Sequence, residues 1–368
     1  MHADADAFFA SVEQRDHARY RGVPMVVGEQ VVACASYEAR ALGIHAGMPL
    51  GQVRRHWPAT LVAPVRGDAY EEASARLFEV FRRFTPLVEP GSMEEAFLDV
   101  TGRDRDDPAG MAAAIRDAAR QEVGLPVSVG VARTKLMAKL ASRRAKPDGF
   151  LVVDAALEAR VRPRLRLDDL WGVGPVTYEK LHAARLFVVA DLYGLSVDDL
   201  KNCGLSTAMA RRVASIAAGT DDATIRLPGP RGSVGATRSF PATRTRSTVE
   251  AVLRASVQRA LARLGDDARL PTRLEVVVRY DDGTQVTERG PLPQPTTEPE
   301  AVGAAALRLL ERSGWEQDGR GVTLVGVSIP LPRLRPAARV APGSSRQAQS
   351  QASGDDRQRQ KGWPAGSA

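Results

Sequence analysis

Two neighbouring acids, Glu94 and Glu95, stand between a Pro90-Gly91 turn and the apolar run Ala96 to Val100. In a strand, successive side chains point to opposite faces, so consecutive carboxylates converge on one point only where the backbone bends. Brought together, they repel unless a cation joins them. A hard divalent ion, held by few carboxylates and shared with substrate phosphates, relieves that repulsion; a solvated turn is the ordinary alternative. A third acid, Asp4, lies in Met1-His2-Ala3-Asp4-Ala5-Asp6, a short strand that leads through Phe8 and Phe9 into a helix. Two divalent ions held by carboxylates from separate strands can activate a hydroxyl and stabilise a leaving pyrophosphate. Asp4, Glu94 and Glu95 are the candidates for such a set.

The elements around these acids follow from periodicity and punctuation. Residues 9–20 read as a helix, Pro24 to Val27 as a strand ending at Gly28, and Val31 to Ala35 as its hairpin partner. Tyr37 to Leu42 is a small helix closed by Gly43. Tyr70, Ala73, Leu77, Phe81 and Phe84 recur at helical spacing until Pro86. After the acidic turn come a helix, Met111 to Val123, and a strand, Pro126 to Val131. This alternation suits a split βαβ, ferredoxin-like layer, with Asp4 and the Glu94-Glu95 pair on neighbouring strands. The segment Arg133 to Lys146 carries six basic residues and no acid; solvated helix faces usually mix signs, so it reads as a phosphate-contacting helix. Short helices and glycine turns follow from Leu167. A Pro- and Gly-rich stretch, Leu227 to Gly232, then opens a β-α-β-β-α-β order. Its parts are Ser233 to Phe240, Val249 to Leu264, Leu274 to Tyr280, a strand after the Asp281-Asp282-Gly283 turn, Ala301 to Leu310, and Val322 to Ile329.

Composition narrows the function classes. At 368 residues the chain exceeds one ordinary domain, and length suggests about two to four. An apolar fraction of 43% is ample for packed cores, and a net charge of +7 is compatible with a polyanionic partner. Two cysteines, Cys34 and Cys203, offer neither a disulfide framework nor a zinc cluster. With no secretory signal and no long apolar run, a soluble, cytoplasmic protein without membrane attachment is expected. Only three residues precede Asp4, few for a full strand, so the start is expected upstream of Met1.

Four motifs carry a family resemblance. The spacing of Asp4 and Asp6 before Phe8-Phe9-Ala10-Ser11-Val12-Glu13 resembles the first motif of the Y-family translesion DNA polymerases, and Ser92-x-x-Glu95-Ala96-Phe97-Leu98-Asp99-Val100-Thr101 their second. Ala35 to Arg40 with Gly47-Met48-Pro49, and Ser128 to Ala132 through Lys146-Pro147-Asp148-Gly149, are similar to two more. The likeness is to the bacterial DNA polymerase IV branch and weakens after about residue 335. It implies an α+β multidomain, right-hand polymerase. The expected parts are a ferredoxin-like palm (1–22 and 65–165), small fingers (23–64), a helix-hairpin-helix thumb (166–226), a linker (227–231), an α/β little finger (232–338) and a disordered tail (339–368).

The resemblance also implies roles. Asp4 and Glu94 would bridge two Mg2+ ions, with Mn2+ as an alternative; Glu95 would serve the catalytic ion, and the Ala5 carbonyl would complete the nucleotide-side shell. Asp6 and Asp99 match the pattern as structural residues. Tyr37, Arg40 and Lys146 would grip the incoming deoxynucleoside triphosphate, offering a hydroxyl donor, a planar fork and a point charge. Phe9 corresponds to the gate against a ribose 2′-hydroxyl, with Phe8 in the core. In the thumb, the glycine turn Trp171-Gly172-Val173-Gly174-Pro175 would hold primer-template DNA by backbone N–H groups at Gly172 and Gly174. Arg238, Arg244, Arg246 and Arg279 of the little finger would contact the DNA backbone. The implied activity is low-fidelity translesion synthesis by a monomer.

Glu94, the short start before Asp4 and the missing clamp peptide support an alternative, a catalytically weak or inactive accessory paralogue. Glu94 stands where relatives have Asp, shifting the carboxylate by about 1–1.5 Å; a misplacement near 1 Å can cost about 100-fold. Cys34 and Thr134 replace the usual threonine and asparagine. The tail also lacks a clear Gln-x-x-Leu-Phe-like peptide for a sliding clamp, which leaves the clamp or other repair proteins open as partners.

Overall fold

Strand alternation gives the central sheet one packed face and one chemical face. The computed structural model describes residues 1–103 and 107–332; the expected tail, and the end of the expected little finger, lie outside them. Twelve strands are described: β1 (His2–Ala5), β2 (Met25–Gly28), β3 (Val32–Ala35), β4 (Leu61–Ala63), β5 (Val88–Pro90), β6 (Glu95–Leu98), β7 (Val127–Val131), β8 (Phe150–Val152), β9 (Ser233–Thr243), β10 (Arg273–Tyr280), β11 (Gln285–Pro291) and β12 (Val322–Pro330). The central sheet runs β5-β6-β1-β7-β8, with β1 antiparallel to both neighbours.

Ala3 and Ala5 of β1, Ala96 and Leu98 of β6, and Val127, Val129 and Val131 of β7 join one core. That core includes residues of the helices Phe8–Asp16, Gly67–Phe84 and Pro108–Ala118. The intervening residues, His2, Asp4, Glu95, Phe97, Ser128 and Gly130, therefore belong to the other face. Their registers align them: His2 with Phe97 and Gly130, Asp4 with Glu95 and Ser128.

The helix Lys135–Ala145 covers that second face. Thr134 caps it by accepting from the Met137 N–H at 3.3 Å. It approaches β7 at Gly130, where a Cβ would sit 2.0 Å from the Ala138 carbonyl oxygen and 2.4 Å from the Ser142 nitrogen. No side chain fits there, and the absence of one lets the helix lie on the sheet.

The other units are simpler. A three-stranded sheet, β3-β2-β4, packs Val26, Val32, Ile44, Leu50 and Val53 in its own core. Leu167, Leu170, Leu181, Val189 and Leu200 centre a cluster of short helices. It is tied to the central unit by buried Arg162, which donates to Glu158, to Asp221 and to the Ile216 carbonyl. The last sheet, β11-β10-β12-β9, carries the helices Arg246–Ala262 and Pro299–Arg312 on one face. Leu274, Val276, Val278 and Tyr280 alternate into that core. Between these units, Glu89 of β5 accepts from Lys135 Nζ and from the Arg226 backbone N–H, each at 2.5 Å.

Most expected elements are present with shifted ends. The helix expected over 9–20 is Phe8–Asp16 followed by a 3₁₀ turn, Ala18–Tyr20. The one expected at Met111 starts at Pro108, because Asp107 caps it through the Gly110 N–H at 2.6 Å. Among the described residues no helix is long and apolar enough to cross a membrane.

Gly130→Ala is expected to lower stability by about 1–3 kcal/mol, the usual range for overpacking. Gly303→Ala, in the Pro299–Arg312 helix, meets no atom within 4 Å and should raise it by about 0.5–1 kcal/mol. Thermal melts of the two variants beside wild type check both signs.

Candidate active site

Asp4 and Glu95 are directly opposite one another across β1 and β6. Ligand atoms of His2, Asp4 and Glu95 all lie within 4.8 Å of one another. Each carboxylate already has a cation. Lys146 Nζ is 2.5 Å from Asp4 Oδ1, and Lys139 Nζ pairs with Glu95 Oε2. His2 Nε2 lies 3.3 Å from the same Glu95 oxygen, off the line of an aligned hydrogen bond. Its Nδ1 lies 2.7 Å from Ser142 Oγ. His2 and Lys139 beside it hold the Glu95 carboxyl down at about 2, against the pull of burial. Burial lowers the His2 imidazole below the usual histidine range.

The partners come from one helix stripe. Lys135, Lys139, Ser142 and Lys146 are spaced by four, three and four residues, the rhythm of a single helical face. They meet Glu89, Glu95, His2 and Asp4 respectively. The segment expected to contact phosphate is thus paired with the protein's own acids along this stripe. Four of its six cations, Arg133, Lys135, Lys139 and Lys146, are ion-paired within the protein.

These residues fit a hard divalent ion. Two carboxylates with oxygen donors face each other on a half-buried corner, and ammonium groups stand against both, marking a place that requires positive charge. Glu94 is not part of the cluster. It precedes β6; its carbonyl accepts from the Ala5 N–H at 3.0 Å and its own N–H donates to Ser92 Oγ at 3.2 Å. Ala5 is thereby held beside the acids as the last residue of β1.

Asp6 organises the neighbouring half of the site. The chain turns at Ala7 with φ 44° and ψ 51°, a left-handed conformation that costs a non-glycine residue about 1–2 kcal/mol. Past β1, the buried Asp6 carboxylate accepts from Ser128 Oγ at 2.9 Å, the Asp148 N–H at 2.6 Å and the Tyr37 hydroxyl at 3.2 Å. Burial raises its carboxyl above the usual range, partly offset by these donors. Burial and Asp6 push the Tyr37 hydroxyl up, so it stays a donor. Arg40 donates to the Ala35 carbonyl at 3.0 Å and lies over the Tyr37 ring at 5.0 Å. Tyr37 and Lys146 thus meet at Asp6, Lys146 Nζ lying 3.8 Å from its Oδ1, with Arg40 against the Tyr37 ring. Phe9 stacks on Tyr70 with centroids 4.4 Å apart, while Phe8 is buried. Cys34 is buried too, which raises its thiol.

The expected DNA contacts differ in availability. Gly172 has φ +92° and lies against the Arg212 guanidinium, and Gly174 precedes the helix Pro175–Ala183. Arg238 and Arg244 are exposed, with no ion pair among the described residues. Arg279 donates to Ser239 Oγ at 3.2 Å. Arg246 is the least available, paired with Glu250, Glu311 and Glu316.

Comparison with known proteins accounts for this geometry. Residues 3–143 match the impB/mucB/samB family and residues 231–335 its C-terminal domain. This chain is a Y-family DNA polymerase. It is 35% identical over 339 residues to the DNA polymerase IV of Desulfatibacillum aliphaticivorans, covering 89% of this chain and 84% of that one. It is 36% identical to that of Halorhodospira halophila, covering 89% and 94%. The polymerase superposes on the chimera Dbh-Dpo4(243-245)-Dbh with a TM-score of 0.81 at 25% identity, covering 89% and 97%. Against DinB from Sulfolobus solfataricus the TM-score is 0.60 at 24% identity, covering 90% and 98%, a likeness of fold. Palm, fingers, thumb and little finger are therefore the right names for the four units, and divalent-metal use belongs to the family.

Sequence reasoning passed over His2, Lys139 and Ser142 of this polymerase. The four-three-four spacing from Lys135 to Lys146 was the available signal.

Because the Glu95 carboxyl is depressed, its ion pair stabilises the fold above the unfolded value of about 4.3. That contribution is lost as pH falls through about 2. Glu95→Gln should be less stable than wild type at neutral pH, with the gap narrowing between about pH 4 and about pH 2. Denaturant titrations of both proteins across that window check it.

Proposed function

We propose that the chain carries out template-directed, low-fidelity translesion DNA synthesis, joining a deoxynucleotide to a primer 3′-hydroxyl at the Asp4–Glu95 corner. The observation that carries this reading is the juxtaposition of that acid pair with Tyr37, Arg40 and Lys146 around Asp6. Two Mg2+ ions bound there would polarise the α-phosphate and lower the pKa of the attacking hydroxyl. Asp4 and Glu95 supply the carboxylates, with the Ala5 carbonyl and Glu94 as further donors.

Lys146 moves from Asp4 to the triphosphate; its flexible stem allows this without backbone change. Arg40 presents its fork to the same phosphates, and Tyr37 donates its hydroxyl to them. Until the nucleotide arrives, Asp6 holds the Tyr37 hydroxyl proton and the Asp148 N–H; Tyr37 turns that one proton to a phosphate oxygen as Lys146 leaves Asp4. Phe9, braced by Tyr70, excludes a ribose 2′-hydroxyl. The Gly172-to-Gly174 turn, Arg238, Arg244 and Arg279 hold primer-template DNA by its backbone. Arg246 contributes there only by giving up its three carboxylates.

Single-nucleotide primer extension with Mg2+ and Mn2+ tests the reading. Wild type should incorporate, and Glu95→Ala should lose about 100-fold or more. No incorporation by wild type with either ion would refute it; incorporation by Glu94→Asp alone would favour the accessory role. Phe9→Ala should admit ribonucleotides in the same assay, and unchanged sugar discrimination would remove Phe9 from the gate.

A further inference from the structure

Lys139 has no role in the reading above, yet it is the closest cation to Glu95. We propose that Lys139 is a placeholder cation: it occupies Glu95 and keeps a divalent ion from settling against Asp4 until DNA draws the ammonium away. The proposal rests on the assignment of Asp4 and Glu95 as the metal site and of the glycine turn as a DNA contact.

Charge balance is the first argument. Asp4 and Glu95 carry two negative charges, and Lys146 and Lys139 match them one for one. An arriving divalent ion meets a neutralised pair and binds only by displacing an ammonium. The side chains of Lys139 and Glu95 are 16% and 19% exposed, so salt screens their attraction weakly.

Placement is the second. Lys139 Nζ also lies over the Trp171 ring, 5.8 Å from its centroid. Trp171 belongs to the glycine turn, and Arg212 also lies over its ring, 5.3 Å from the centroid, and donates to its carbonyl at 2.7 Å. Trp171 also meets Phe97, on the same face of β6 as Glu95, at 5.3 Å between centroids. Lys139 therefore stands between the acid and the turn that takes a DNA phosphate. A phosphate there competes for the ammonium, and a rotamer change is enough to transfer it.

The two lysines then divide the control of ion loading. Nucleotide releases Lys146 from Asp4, and DNA releases Lys139 from Glu95. A plain structural brace has the opposite signature. If Lys139 only held Glu95 in position, its removal would loosen the carboxylate and leave metal affinity unchanged or weaker.

The test measures Mn2+ binding by electron paramagnetic resonance on the full chain, without DNA or nucleotide. Lys139→Met should bind Mn2+ at least about tenfold more tightly than wild type. Adding Glu95→Gln should abolish the gain, and Lys139→Arg should keep the weak wild-type binding. Lys139→Gln serves as a second neutral variant if the methionine protein does not fold. Affinity no higher than wild type in the neutral variants, or a gain that survives Glu95→Gln, overturns the proposal. Wild-type primer extension is scored separately. Incorporation without any gain in the neutral variants rejects the placeholder alone; a gain without incorporation rejects the polymerase assignment alone.

Discussion

Two carboxylates on adjacent strands, partly withdrawn from water, set the terms for the rest of the palm. Like charges that close require compensation from the protein itself. The structure meets the requirement with one helix whose stripe of Lys135, Lys139, Ser142 and Lys146 lies along Glu89, Glu95, His2 and Asp4. The helix must sit close, and closeness depends on the bare backbone at Gly130. Charge, helix and glycine form one arrangement.

The second organising residue is Asp6. It belongs to the same short segment as Asp4 but lies past the end of β1, just before the turn at Ala7, and its carboxylate serves different partners. It joins the Tyr37 hydroxyl of the fingers to the Asp148 backbone of the palm. Strain at Ala7 sits between the metal-site strand and the Phe8-Phe9 pair, where departures from ordinary backbone are often tied to function.

Much of this was legible in the sequence, for identifiable reasons. Alternation in Ala3-Asp4-Ala5 and Glu95-Ala96-Phe97-Leu98 separates core from chemistry at two residues per repeat, and the expected neighbouring of Asp4 and Glu95 follows from it. The β-α-β-β-α-β order of the little finger was readable from apolar runs and the Asp281-Asp282-Gly283 turn. Ends were less so, because caps such as Asp107 act ahead of the periodic residues. The internal partners of the basic helix were not readable, since composition reports charge but not which acids face it. Asp6 looked merely structural because a hub is defined by its partners, which lie up to 142 residues away. Glu94 shows a further limit: its tie to β1 runs through its backbone carbonyl and the Ala5 N–H, which side-chain type does not announce.

The clasp at Glu89 bears on how far the little finger can be displaced. Arg226 is pinned to the palm by its backbone N–H, and Gly232 is joined to Leu331 at the start of the last sheet. Only residues 227–231 lie between the two anchors. A leash of that length, pulled straight, spans about 20 Å. While the clasp holds, the little finger's attachment point is confined to a sphere of that radius around the palm's edge strand. Any wider excursion must first break a hydrogen bond to the same carboxylate that anchors Lys135, at the head of the helix that pairs with Asp4 and Glu95.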